Sequence, residues 1–338
     1  MSTRRVPILA AIILLLIGVG ILFTLGLYSP WTGSDQHLTK IGQIDTGGRT
    51  ADVKVMGNIA FVIDQNEPTP GGLVLINVSD PANPSELSSF HDGGWPQRLD
   101  VNGDIVYVAD SQEGLEIINV SDPTSPSEIA QYAGSGEVYD VQVIGGIAYI
   151  ADWNNGLLIL NVTDPRNPLY LSSYSVPGAC PHLHVADDLV FLIDHRDSSS
   201  GLKVANVSDP LNPVNAGSYM PEDELWNPYV LGNYLYVGNH ELGGGELQIL
   251  NVTDPADITQ VGLFDDGGSI FGVYVEDGIA YVADAQRGLV IVDVNDPRTP
   301  ARLRGFYDGG EAVNLVVVDD IVYVADRSGG LEIFQLRW

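Results

Sequence analysis

The sequence predicts an all-β fold: a seven-bladed β-propeller of four-stranded blades, preceded by one N-terminal transmembrane helix. The first observation behind this is a ten-residue phrase written six times. It reads GLVLINVSDP (72–81), GLEIINVSDP (114–123), GLLILNVTDP (156–165), GLKVANVSDP (201–210), ELQILNVTDP (246–255) and GLVIVDVNDP (288–297), and a truncated copy, GLEIFQLRW, ends the chain. The second is the content of each unit, four short β-rich runs in about 42 residues, which is the pattern of a propeller blade. The third is the run VPILAAIILLLIGVGILFTLGLY at 6–28, which carries no charge.

That apolar run comes first in the chain. At about 1.5 Å per residue it is long enough for a bilayer core of roughly 30 Å. Arg4 and Arg5 precede it, so the positive-inside rule keeps residues 1–5 as a cytoplasmic stub and sends the rest outward. Its end reads GLYSPW, without an A-x-A cleavage site, so it reads as an uncleaved signal anchor rather than a signal peptide. Residues 29–36 are then a linker and 37–338 the propeller. The expected location is the cell membrane, single-pass, with the propeller extracytoplasmic.

Within a unit, DVQVIGG (140–146) leads into IAYIAD (147–152), and a tight Gly turn leads into LLILNV (157–162). After Asp-Pro comes a fourth run with weaker alternation, PLYLSSY (168–174). Such runs, separated by Gly, Asn, Asp and Pro, are strands and turns. The second run ends at Asp64, Asp110, Asp152, Asp194, Asn239, Asp284 and Asp326, which counts seven blades. From Asn77, Asn119, Asn161, Asn206, Asn251 or Asp293, 21 residues lead to the next inner strand and 12 more to the end of the second. Only the hairpin between second and third strands changes length, being longer at 65–71, 195–201 and 240–245. LTKIGQID (38–45) aligns with the fourth strands, Ile41 with Leu87 and Ile129, Ile44 with Phe90 and Tyr132. The C-terminus supplies only three strands, so the N-terminal strand is expected to complete the last blade and close the ring, hiding its edges.

Residues 289–293 spell LVIVD. Over 36–338 the units resemble the LVIVD-repeat family of β-propellers, found in bacterial and archaeal surface or secreted proteins. The resemblance implies an extracytoplasmic propeller and carries no shared catalytic motif. In propellers the loops from fourth strand to next inner strand, and from second to third, lie on the top face. The Asp-Pro turns lie below. Leu38 starts an outer strand at the bottom, directly after the linker, so the top face is expected to point away from the membrane.

The chain has 44 acidic and 15 basic residues, a net charge of −29, and a field of that sign repels nucleic acid. The lone Cys180 excludes an intramolecular disulfide. Serine-hydrolase elbows, P-loops, dinucleotide-binding glycines and zinc-protease helices are absent. The primary reading is therefore a membrane-anchored binding or interaction module whose top-face loops grip a protein, peptide or glycan. The column opening the inner strands varies around the ring: Asp52, Arg98, Asp140, His182, Asn227, Gly272, Asn314. Near it lie Arg49, Trp95, Tyr139, Trp153, Trp226, Phe271, Arg287 and Arg327. Aromatics interleaved with polar and charged groups suit a polar ligand. The candidate ligand residues are Arg49, Asp52, Trp95, Arg98, Tyr139, Asp140, Trp226, Asn227, Phe271 and Asn314.

Two alternatives accompany this reading. His182, His184, Asp194, His195 and His240 crowd blades 4 and 5, and imidazole with carboxylate suits a divalent metal such as Zn²⁺ or Cu²⁺. That points to a metal-dependent enzyme; no other cofactor is called for. The other alternative is a purely structural cell-surface component with a solvated column. The aspartates closing the second strands read as caps of tight turns. N-V-[ST] at Asn77, Asn119, Asn161, Asn206 and Asn251 is formally a glycosylation acceptor, and equally a turn former.

Overall fold

The computed structural model describes residues 37–65, 71–91, 93–134, 136–195, 201–221, 224–239 and 245–337. The stub 1–5, the anchor 6–28 and the linker 29–36 lie outside the described residues. Among the described residues no helix is long and apolar enough to cross a membrane.

The described residues form strands β1 to β28 in chain order, arranged as seven antiparallel four-stranded sheets. In blade 1 these are β2 (Arg49–Met56), β3 (Ile59–Gln65), β4 (Gly72–Asn77) and β5 (Ser85–Phe90), in that order outward. Second and third strands are buried almost throughout. They are covered on both faces by neighbouring blades, which is why they read as continuous apolar runs rather than alternating ones. Fourth strands such as β5 are half exposed, hence their weaker pattern.

Among the described residues, seven apolar clusters each bridge two adjacent blades, so the core is distributed around the ring. One joins Leu289 and Ile291 of blade 6 to Val322, Val324 and Phe334 of blade 7. Blade 7 is completed from the N-terminus: β1 (Leu38–Ile44) pairs with β28 (Gly330–Leu336), Leu38 opposite Leu336. The Arg337 N–H also donates to the His37 carbonyl at 2.8 Å. The ring is closed as the three-strand C-terminus required.

The repeated phrase makes the bottom turns. Asn77 Oδ1 accepts the Ser79 N–H at 2.9 Å and Asp80 Oδ1 the Ala82 N–H at 3.1 Å. The same pair recurs at Asn161 and Asp164, and at Asn251 and Asp254. The opposite face is built on the aspartates that close the second strands. Asp152 Oδ1 accepts the Asn154 and Asn155 N–H groups, and Asp326 Oδ1 those of Ser328 and Gly329. Asp110 takes the Trp95 N–H, and Asp194 the Gly178 N–H at 2.7 Å, from the loop entering the blade. These carboxylates hold the top loops in place.

Candidate functional site

Five of the seven inner strands begin with a β-bulge. Pairing with the second strand slips between Thr50 and Asp52, Val138 and Asp140, Trp226 and Tyr229, Ile270 and Gly272, and Ala312 and Asn314. A bulge adds a residue, breaks the two-residue alternation and re-aims a side chain. Two successive residues of these strands can therefore serve the ring's centre, at two depths.

The upper layer is a cavity of about 280 Å³ at the top mouth. One residue from every blade lines it: Ala51, Gln97, Tyr139, Pro181, Trp226, Phe271 and Val313. Gln65, Arg98, Trp153, His182 and Arg327 complete the wall. The Tyr139 and Trp153 rings lie 4.7 Å apart between centroids. Trp226 contacts His195, His182 and Phe271 with centroids at 4.8, 5.4 and 6.0 Å. The Arg327 guanidinium carbon stands 5.1 Å from the Phe271 centroid, a cation–π arrangement.

The lower layer is a channel of about 130 Å³ that includes Asp52, Asp140, Asn227, Asn314, His184 and Tyr229. Its polar groups stitch blade to blade. Asp52 accepts its own strand's Val53 N–H at 2.9 Å and the next blade's Leu99 N–H at 2.8 Å. Asp140 does the same with Val141 at 2.8 Å and Leu183 at 3.1 Å. Asn227 Nδ2 donates to the Phe271 carbonyl at 2.7 Å, and Asn314 Nδ2 donates to Asp52. Arg98 lies between the layers and lines both. Its Nη1 donates to the Ala51 carbonyl at 3.1 Å and sits 3.5 Å from Asp52.

Of the ten ligand candidates, the structure brings Arg98, Tyr139, Trp226 and Phe271 together in the cavity. Asp52, Asp140, Asn227 and Asn314 hold the channel beneath. Trp95 lines a neighbouring hollow with Glu113, Glu137 and Tyr139, and Arg49 is exposed on the rim. Ala51, Gln65, Gln97, Pro181 and Val313 were missed. For all of these but Gln65 the signal lies one place upstream of the column that opens the inner strands, where the residue type also changes from blade to blade.

Among the described residues the metal candidates do not form a group that could hold an ion. His182 is in the cavity wall and His184 in the channel. Asp194 caps Gly178. His195 places Nε2 2.7 Å from the Leu225 carbonyl and Nδ1 3.3 Å from Glu224. His240 lies outside the described residues. Burial pushes His182 down to about 4, Arg98 adding to it, although Asp140 stands 3.8 Å away and pulls the other way. Burial pushes His184 down to about 4 as well. Among the described residues the group that could hold a metal ion is Asp308, Asp326 and Glu332. Lys40 Nζ already sits against it, 2.7 Å from Asp308 and 2.5 Å from Glu332.

The LVIVD-repeat family model matches residues 47–92, 93–134, 135–176, 226–266, 267–308 and 309–334, more than two-thirds of the chain. This chain belongs to the LVIVD-repeat family. The LVIVD matches fall on blades 1, 2, 3, 5, 6 and 7, and omit blade 4. Blade 4 differs from the others at the cavity as well as in its longer hairpin. Its inner strand, Leu183–Ala186, is cut to four residues by the Cys180-Pro181-His182 entry that supplies two wall residues. Among solved structures, the crystal structure of the computationally designed Ika8 protein is similar with a TM-score of 0.64. It is 10% identical over 88% of this chain and 99% of its own, a likeness of fold alone. No curated protein matches the sequence.

Proposed function

We propose that this LVIVD-repeat protein is a membrane-anchored binding module that presents the top cavity of its propeller to a protein, peptide or glycan outside the cell. The observation that carries the reading is the cavity itself. Seven equivalent positions, one per blade, converge on it with different side chains, while the positions that pack the blades stay nearly uniform. A rigid repeat scaffold with variation gathered at one mouth is how loop-borne recognition is built. The uncharged segment 6–28 behind Arg4 and Arg5 supports the anchor.

The test uses the full chain in its own membranes. A photoreactive residue at Gln97, on the cavity wall, is expected to give discrete cross-linked species. The same residue at Asn167, in a bottom turn, is not. Protease added to intact cells is expected to reach the propeller. No cross-link from Gln97, or the same products from both positions, overturns the binding reading. A propeller protected in intact cells overturns the orientation.

A further inference from the structure

We infer that the cavity captures the free C-terminus of a peptide or protein, carboxylate inward and apolar last side chain against the aromatic walls. This rests on the binding-module reading and names its ligand.

Arg98 is the one residue shared by cavity and channel, and it stands at their junction, held by Ala51 and facing Asp52. Just below, the inner strands are drawn together by the Asp52–Leu99, Asp140–Leu183 and Asn227–Phe271 bonds. The space narrows from about 280 Å³ in the cavity to about 130 Å³ in the channel. A chain that enters from the top mouth meets Arg98 at this narrowing.

The walls offer four aromatic rings, Tyr139, Trp153, Trp226 and Phe271, which suit a large apolar side chain. The charged groups that face the interior are guanidinium groups, from Arg98 at the junction and Arg327 on the wall. A guanidinium fork matches a carboxylate in shape as well as charge. The carboxylates closest to this level are already engaged: Asp52 and Asp140 hold backbone N–H groups, and Glu311 stands 3.7 Å from Arg327.

In a chain of net charge −29, Arg49, Arg98 and Arg327 lie near enough that the first two, after burial, depress the Arg327 pKa. An anionic chain end repelled by the rest of the surface meets attraction at this mouth. Neutral sugars call for none of this cationic charge, and an internal peptide segment offers a carboxylate only where it carries Asp or Glu.

The experiment uses full-length protein in detergent, with binding followed by calorimetry and tryptophan fluorescence. The probes are an acetylated Gly-Ser-Gly-Phe peptide with a free carboxylate, the same peptide as its C-terminal amide, and an oligosaccharide ending in glucuronic acid. The acid is expected to bind, and the amide at least about tenfold more weakly, as loss of a charge-assisted hydrogen bond implies. Arg327→Gln is expected to weaken the acid about tenfold and leave the residual affinity of the amide unchanged. Arg98→Gln is expected to do the same. Should it fail to fold, Arg327→Gln, at the cavity edge, decides alone. Trp226→Ala is expected to abolish binding of the acid. Equal affinity for acid and amide, binding of the uronide in place of the peptide, or no binding of either peptide overturns the inference. The binding-module reading falls separately, through loss of the Gln97 cross-link.

Discussion

Asp284 ends the second strand of blade 6 in full burial, its Oδ1 accepting the Gln286 and Arg287 N–H groups at 2.8 Å. Burial and then repulsion from Asp266 raise its carboxyl to about 7, against the pull of those two bonds. Arg302 faces Asp266 at 3.5 Å from the neighbouring fourth strand. Unfolded, Asp284 titrates near 3.8. Between about pH 4 and pH 7 the folded chain therefore holds a proton that the unfolded chain has released. The stability this contributes is complete below about pH 4 and is lost as pH rises through about 7. Glu332, raised to about 7 by burial despite Lys40, contributes with the same sign. Asp284→Asn is expected to flatten this slope while keeping the turn, because an amide oxygen accepts the same N–H groups. Blade 5 already carries Asn239 at the equivalent place. Urea unfolding at about pH 5 and about pH 8 measures it; a difference in midpoint as large as in the unaltered chain refutes the assignment.

The inner strand is the element where pattern and site diverge. Blade count, strand order and the closing strand were all legible, because apolar runs and Asp-Pro turns repeat with fixed spacing. Of the residues named from the sequence, Arg98, Tyr139, Trp226 and Phe271 line the cavity, and Asp52, Asp140, Asn227 and Asn314 line the channel one layer below. Two-residue alternation puts Asp52, Asp140 and Asn314 at the centre and their predecessors elsewhere. The bulges at Ala51, Tyr139, Phe271 and Val313 bring both to it, and no local residue type announces them. The three long hairpins, conspicuous by length, have their tips outside the described residues. A second feature of these elements is D-G-G, at 92–94, 266–268 and 308–310. A Cβ at Gly94, Gly268 or Gly310 would overlap the carboxylate of Asp110, Asp284 or Asp326. The entering loop lies flat on the capping aspartate, and only glycine allows it. Gly310→Ala is expected to destabilise by about 1–3 kcal/mol, as overpacking does. Gly57→Asn, at φ +58° in a bottom turn with open space around it, is expected to stay within about 0.5 kcal/mol. Equal thermal shifts for the two variants would show that the aspartate contact does not restrict the loop.

For the whole molecule, every apolar cluster is shared between two blades, so each blade is only as stable as its neighbours and the ring has one vulnerable seam. That seam is the β1–β28 pairing, the sole place where the two ends of the propeller meet in one sheet. Leu38 is only 1% exposed there and packs with Phe334 and Leu336. Leu38→Ala is expected to cost about 2–5 kcal/mol, the range for emptying a packed leucine site. Deleting 37–46 removes the whole strand. It bares the β28 edge, which becomes a template for intermolecular pairing. It also uncovers both clusters that flank blade 7, where Ile41 and Ile44 pack on the blade 1 side and Leu38 on the blade 6 side. In a linear solenoid such a loss would fray one end, since repeats there depend only on adjacent contacts. In a closed ring it removes the constraint from both ends at once. The truncated chain is accordingly expected to aggregate or unfold without a cooperative transition, while Trp226→Ala, which alters only the cavity wall, keeps the transition of the intact protein. Size-exclusion chromatography with circular dichroism in urea separates these cases, and a truncated chain that stays monomeric with an unshifted midpoint would show that the seven blades hold together without the N-terminal strand.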